Sequence, residues 1–421
     1  MISFFITAIK VIILLGFLIF IHEGGHFLVA KLCKVKVNEF AIGFGPTIWK
    51  NDKGETKYAL RLIPLGGFVS MEGEEERSEK EGSFSKASTI KKIAIVLAGG
   101  TVNIVFGLLV YFALVSNTGN YASQVIEVVD DKYGAYEAGI EQNDEIIKIN
   151  DKKIRNKSDI EKILSNSEGN EVIVTVKRNN QLINIEVKPT VVPNKDTGIY
   201  LGSQGEEITT KIVAVASNSP AENSGVETND VILKINGKNV DNDPYKVVEY
   251  IKESSDEECI FTVRRKDEIK DISVKPEITY TYLLGVQFKK AEKNFINNIY
   301  YGFWDTVDFS LSIVDNLKMM FTGKVNANQL MGPIGISGVV AKTTGISDFI
   351  YIVALISLSL GVTNLLPFPP LDGGKVVIYL IEAIRRKPIK ENVEYTIQAV
   401  GFAILIGLSI YVTYNDILRI F

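Results

Sequence analysis

Apolar residues along this chain gather into four long blocks, and the stretches between them are patterned like soluble protein. The first block runs from Met1 to about Ala30, the second from Ile93 to Ser116, the third from Phe349 to Leu371 and the fourth from Tyr395 to Asn415. The last three contain no charged residue. The second is 24 residues long, and a helix of about 20 apolar residues crosses the hydrocarbon core of a bilayer. Ahead of Glu23 the first block carries one charge, Lys10, which can snorkel to the interface or face protein. A signal peptide is the rival reading of this block. No basic cluster precedes it and no small-x-small cleavage site closes it, so a membrane helix is expected.

Other stretches change period. Tyr58 to Met71, broken by Pro64, Gly66 and Gly67, reads as short β-strands in a hairpin, and Gly43-Phe44-Gly45-Pro46 reads as a turn. Such a hairpin is either a plain surface feature or a sheet edge able to pair with an extended chain. Glu72 to Gly82 is an acidic, polar loop.

From Asn117 to about Pro276 the pattern repeats itself. Ala138-Gly139-Ile140-Glu141-Gln142-Asn143-Asp144 matches Ser224-Gly225-Val226-Glu227-Thr228-Asn229-Asp230, and the match runs on to Ile149-Asn150 and Ile235-Asn236. Val174 to Arg178 matches Phe261 to Arg265, and Lys188-Pro189 matches Lys275-Pro276, at spacings of 86 to 87 residues. Each copy reads strand, turn, strand, helix, strand, strand. The signature resembles PDZ domains, two in tandem. Such modules bind extended peptides by strand addition; acting only as steric covers is the other role open to them.

Phe295 to Phe321 has amphipathic helical spacing with aromatic residues, which suits a helix lying at a membrane interface or a buried soluble helix. Met331 to Gly338 is a Gly/Pro stretch expected to be a loop. The third block ends irregularly, in Asn364-Leu365-Leu366-Pro367-Phe368-Pro369-Pro370-Leu371-Asp372-Gly373-Gly374. Prolines and glycines at this density cannot continue a helix, and broken backbone at membrane depth is tolerated where it is buried in protein or lines a wet cavity.

The expected fold is a polytopic α-helical membrane protein with four transmembrane helices, a membrane-associated β-hairpin and two α+β PDZ-like domains. The spans fall at 1–30, 93–116, 349–374 and 395–415. The hairpin region is 31–92, the PDZ-like domains are 117–190 and 197–277, the interfacial segment and loop are 278–347, and 375–394 is a cytoplasmic loop. Basic clusters at Lys31, Lys34 and Lys36, and at Arg385, Arg386, Lys387 and Lys390, mark the cytoplasmic side. If the chain starts outside, parity puts both clusters inside and the PDZ-like pair outside.

Composition agrees with alternating membrane and soluble parts: 421 residues are 46% hydrophobic yet 23% charged. A net charge of -4 implies no nucleic-acid partner. Cys33 and Cys259 lie far apart and give neither a disulfide framework nor a CxxC zinc knuckle; Cys259 reads as a buried strand residue.

The chemistry concentrates at His22-Glu23-Gly24-Gly25-His26. These are the only 2 histidines in the chain. Four apart on a helix, their rings share one face and can bind one zinc ion, with Glu23 as general base on its water. The pattern arises by chance in ordinary helices, but an ionisable Glu23 in an apolar span is costly without a function. Two histidines leave a zinc site short of a protein ligand. Asp372 is placed to be the third; capping the following helix is its alternative role. Asn364 suits a hydrogen bond to a developing oxyanion or the satisfaction of freed backbone. Asn103, inside the second block, either bonds a neighbouring helix or faces the active site, with packing favoured.

H-E-x-x-H in the first span, N-x-x-P-x-P-x-L-D-G after the third and PDZ-like modules between resemble the site-2 protease family of intramembrane metalloproteases, in its bacterial RseP type. The resemblance covers essentially the whole chain. It implies that His22, His26 and Asp372 bind zinc, that Glu23 is the catalytic base and that Asn364 holds substrate or oxyanion. It also implies a hairpin that pairs with substrate in a multi-pass protein of the bacterial inner membrane, with its active site near the cytoplasmic side. The expected substrates are transmembrane segments of trimmed proteins, such as anti-sigma factors and signal-peptide remnants. Both glycines between the histidines are expected to allow close helix approach. A zinc protease for soluble substrates and a non-catalytic PDZ scaffold with structural zinc are the competing classes.

Overall fold

The computed structural model describes residues 2–74, 76, 78–119, 121–204, 207–216, 218–321, 332–341, 343 and 345–420. It divides into two units. One holds 1–118, 305–310 and 327–421; the other holds 119–304 and 311–326.

The first unit opens with helix α1 (Ile2–Leu32). Lys34, in a left-handed conformation, turns the chain out of it. Strands β1 (Val37–Asn51) and β2 (Lys57–Met71) follow, and both are bent. The first half of β1 pairs on one side with 57–60 and on the other with 67–71, as in Phe40 with Tyr58 and with Val69. The second half pairs back onto 58–61, as in Lys50 with Ala59. The expected hairpin is therefore a small sheet whose segment 67–71 is an edge. Among the described residues no strand pairs with its outer side.

Helix α2 (Thr89–Thr118) crosses α1 closely. A Cβ on Gly25 would stand 2.7 Å from the Ala98 carbonyl oxygen, whereas one on Gly24 would meet nothing within 4 Å. The expectation that both glycines serve helix approach holds for Gly25 alone.

The second unit is built on the repeat. Its first copy supplies β3 (Ala122–Val129), the single turn α3 (Gly134–Glu137), β4 (Glu145–Ile149), β5 (Lys152–Lys153), α4 (Lys157–Ser167), β6 (Val172–Arg178) and β7 (Gln181–Val187). Then come β8 (Thr190–Asp196) and β9 (Ile199–Gln204). The second copy supplies β10 (Glu207–Val215), α5 (Pro220–Asn223), β11 (Val231–Ile235), β12 (Lys238–Asn239), α6 (Pro244–Glu253), β13 (Cys259–Arg265) and β14 (Glu268–Val274). It ends in β15 (Glu277–Leu283) and β16 (Val286–Lys290).

The last strand of each copy crosses over. β9, from the end of the first copy, pairs with β10 and completes the second sheet. β16, from the end of the second, returns to pair with β3 and completes the first. β8 and β15 pair with each other. The first PDZ-like module is thus not one contiguous segment, and the range 117–190 omits a strand of its sheet.

Each module has its own core. Ile126, Ile146, Ile149 and Val174 are buried in the first. Ile212, Ile232, Ile235 and Phe261 are buried in the second, with Cys259 fully buried beside them. The repeated polar residues have matching jobs. Arg178 donates from Nε to Asp144 at 2.8 Å, and Arg265 does the same to Asp230.

Helix α7 (Phe295–Phe321) covers the expected amphipathic segment. Phe309 on it stacks on Tyr111, ring centroids 4.1 Å apart. The Gly/Pro stretch is not a loop where it is described, since residues from Pro333 onward form α8 (Pro333–Ala341). Proline fits the first turn of a helix. The free amides of Gly332 and Gly335 are taken by the buried Asp416 carboxylate at 2.9 and 2.8 Å, a partner 81 residues or more away. Met331 lies outside the described residues.

α9 (Ile346–Asn364) packs along α2, where a Cβ on Gly361 would stand 2.6 Å from the Gly100 carbonyl oxygen. A broken stretch leads to α10 (Asp372–Arg385), and α11 (Glu391–Ile420) ends the chain's described part. Among the described residues, 4 helices are long and apolar enough to cross a membrane: α1, α2, α9 and α11.

Candidate metal centre and active site

His22, Glu23 and His26 occupy adjoining turns of α1. The two Nε2 atoms are 3.3 Å apart. Asp372 Oδ2 lies 3.2 Å from the first and 3.3 Å from the second. Asp372 is the first residue of α10, whose N-cap is Leu371. Its carboxylate is aimed at the histidines, in place of the capping role.

The tautomers are set from behind. His26 Nδ1 donates to the Ile95 carbonyl oxygen of α2 at 2.8 Å, which leaves Nε2 as a lone-pair donor. His22 Nδ1 is 3.3 Å from the side-chain amide of Asn103, whose Oδ1 is otherwise buried without a partner. The atom placed there is Nδ2; exchanging the amide's nitrogen and oxygen would satisfy the orphaned Oδ1, which would then accept the Nδ1–H and leave His22 Nε2 free in the same way. Asn103 therefore bonds a neighbouring helix, the role favoured from sequence, and the residue it bonds there is a candidate metal ligand.

With both rings neutral, three acceptor atoms converge here, an arrangement that a shared cation would stabilise. Donor atoms on a tetrahedral zinc with bonds of about 2.0–2.1 Å stand roughly 3.3 Å apart. The observed spacings match that edge, so the residues present fit zinc. They use three protein positions and leave one for water or substrate, the catalytic pattern. Gly99 makes room, since a Cβ there would stand 2.3 Å from His26 Nε2.

A cavity of about 800 Å³ opens onto these atoms. His22, Glu23, His26 and Asp372 line it, and so do Phe68, Val69, Ser70 and Met71 of the sheet edge. The β2 backbone passes close to Glu23, because a Cβ on Gly67 would be 3.2 Å from Glu23 Cγ. Lys375 and Glu74 line it too, with Nζ 3.1 Å from Oε1. Burial works against the Lys375 charge, but the Glu74 carboxylate more than offsets this and holds the ammonium above its usual range. Asn364 ends α9, makes no side-chain hydrogen bond among the described residues and is not in the cavity wall.

Paired histidines on a spanning helix, a carboxylate delivered from a broken span and a glutamate beside them define a metallopeptidase set into the membrane. The comparisons with known proteins agree. The model of "Peptidase family M50" matches residues 10–408, so the chain belongs to that family. It is 32% identical to "Zinc metalloprotease RasP" of Oceanobacillus iheyensis, over 99% of each chain. It is 30% identical to "Regulator of sigma E protease" of Haemophilus influenzae, over 97% of this chain and 98% of that one. Among solved structures, the HtrA3 PDZ domain bound to a phage-derived ligand is matched at 22% identity and a TM-score of 0.20, covering 22% of this chain and 93% of that one. The chain is a membrane zinc metalloprotease.

Proposed function

We propose that this enzyme hydrolyses peptide bonds within membrane-spanning segments, with His22, His26 and Asp372 holding zinc and Glu23 acting as general base. The observation that carries this is one cavity shared by three donors 3.2–3.3 Å apart, Glu23 and an open strand edge. When bound, zinc lowers the pKa of water and polarises the scissile carbonyl. Glu23 takes the proton from the attacking water and returns it to the departing amide nitrogen. Strand 67–71 binds the substrate backbone in extended form, because a helix hides its carbonyls in its own hydrogen bonds. Asn364 is proposed to steady substrate or oxyanion once substrate is seated.

The substrates are trimmed single-span proteins such as anti-sigma factors and signal-peptide remnants, a reading supported by the sigma-factor name of the Haemophilus relative. The basic clusters favour a cytoplasmic-side active site and extracytoplasmic PDZ-like modules in a bacterial inner membrane. Those modules either filter substrates by size or bind extended peptide.

The test is cleavage of a short-ectodomain, single-span substrate in reconstituted membrane. Glu23→Gln is expected to lower the rate by roughly 10²–10⁴-fold with zinc retained. Equal cleavage by both proteins removes the assignment, and faster cleavage of a soluble peptide would favour the soluble-substrate class.

A further inference from the structure

The Lys375–Glu74 ion pair lies in the wall of the catalytic cavity, and no step above uses it. Its two residues come from the two parts that must be kept in register. Lys375 follows Asp372 by one turn of α10. Glu74 stands three residues beyond Met71, where the open strand edge ends. The pair is partly buried, with side chains 27% and 18% exposed at a separation of 3.1 Å. An ion pair at such a place contributes little net stability, because desolvation offsets the attraction. Its geometry is the more telling property.

On its inner side the strand is tied to β1 by the ladder through Glu39–Ser70 and Val37–Met71. The turn after it is tied back through the Glu72 amide, which donates to the Lys36 carbonyl oxygen at 3.0 Å, and the Phe84 amide, which donates to that of Glu72 at 2.7 Å. Those bonds fix the strand to its own sheet. The pair links the same end to the helix that carries Asp372. Phe84 and Tyr379, ring centroids 5.9 Å apart, give an apolar contact alongside it.

We propose that Lys375 and Glu74 are positioning residues that set the spacing between the substrate-pairing strand and the metal centre, and so select which peptide bond reaches Glu23. This rests on the substrate-binding role given above to strand 67–71. A misplacement of about 1 Å at a reacting centre costs on the order of 10²-fold in rate. Loosening one tether is expected to cost less, and to blur the choice of bond.

The experiment compares wild type with Lys375→Met, Glu74→Met, the double variant Lys375→Met/Glu74→Met and Lys375→Arg. All are full-length proteins in reconstituted membrane with a single-span substrate. Three quantities are read: zinc content, kcat/KM and the product termini by mass spectrometry. Each single change is expected to lower kcat/KM by roughly 10-fold and to spread cleavage over neighbouring bonds, with zinc content unchanged. The double variant is expected to lose no more than either single change, since residues acting as one unit are non-additive. Lys375→Arg is expected to restore the single cleavage site. A double variant that loses the product of both effects overturns the proposal, because the residues would then act separately. Wild-type rates and termini in every variant overturn it as well. A variant that loses zinc or fails to fold is replaced by the double variant, whose apolar pair leaves no lone buried charge. The parent reading fails differently: prolines across 67–71 would then leave cleavage intact. If those prolines stop cleavage while the pair variants cut normally, only the pair proposal falls.

Discussion

Gly99→Ala is a one-methyl test of the metal centre. The new Cβ would stand 2.3 Å from His26 Nε2 and 2.8 Å from His22 Cε1. Ordinary contact begins at 3.4 Å, so the His26 ring must retreat by about 1.1 Å or α2 must move away. Metal–ligand distances tolerate about ±0.2 Å, so a retreat of that size breaks the bond. α2 cannot retreat from α1 freely, because α9 is packed against it, so closely that a Cβ on Gly361 would stand 2.6 Å from the Gly100 carbonyl oxygen. The strain of an added methyl in packed surroundings costs about 1–3 kcal/mol. The expected outcome is a folded protein with much reduced zinc content and a cleavage rate down by about 10²-fold or more. The control is Gly24→Ala, whose Cβ meets nothing within 4 Å, and which should keep both zinc and activity. Metal analysis of the purified proteins and cleavage of a single-span substrate read the result. Full zinc and full activity in Gly99→Ala would refute the placement of the ligands. A dead Gly24→Ala would show that the helix is approached from a side the structure leaves open.

A proline scan over Gly67 to Met71 should slow cleavage at positions whose amides face outward, while prolines in 47–51, the other edge of the small sheet, should not; zinc content stays normal in both sets. Asp416→Ala should free two amides at the start of α8, costing about 1–2 kcal/mol as for a lost helix cap, whereas Asp416→Asn keeps an acceptor and should cost less; thermal unfolding in detergent measures both. Acid should weaken the first PDZ-like module through Asp144. Burial raises this carboxyl, but the hydrogen bonds from Arg178 and the Glu141 amide outweigh it and hold it below the usual range. A depressed folded value means the stabilisation is present above the unfolded pKa of about 3.9 and is lost as pH falls through the folded value. Protection factors of the β4 and β6 amides should therefore fall below about pH 4 in wild type and lose that dependence in Asp144→Asn.

How much of this could be read from the chain differs by the range of the forces involved. The convergence of His22 and His26 beside Glu23 was legible because the metal chemistry proposed for them demands those residue types at helical spacing. Asp372 followed because two histidines do not complete a zinc site. The partner of Asn103 was harder, since it is 81 residues away. Pro333 to Ala341 looked irregular because its own residues do not carry the start of the helix; Asp416 does, from another span. The exchange of β9 and β16 was hidden for a different reason. Similar repeats show that two strands exist without showing which sheet each one closes. The clue was available in Gly198 and Gly285, both at positive φ, which continue the 87-residue spacing past the end of the matched segments.

On the proposed reading, the placing of strand 67–71 beside Glu23 answers what a spanning substrate demands. Its carbonyls are already bonded within its own helix, and in hydrocarbon a freed amide costs several kcal/mol. Opening a turn therefore needs two things at the same spot: new partners for the backbone and a polar space for water. The strand edge offers the first. The cavity with Lys375, Glu74 and Glu23 in its wall offers the second. Neither alone would suffice, because a strand edge in lipid would carry the same unpaired amides, and a wet cavity without an edge would leave the substrate helical. On this argument, side chains of the substrate matter less than the ease with which its helix opens. Selection among membrane proteins then falls to that ease and to whatever the PDZ-like modules admit.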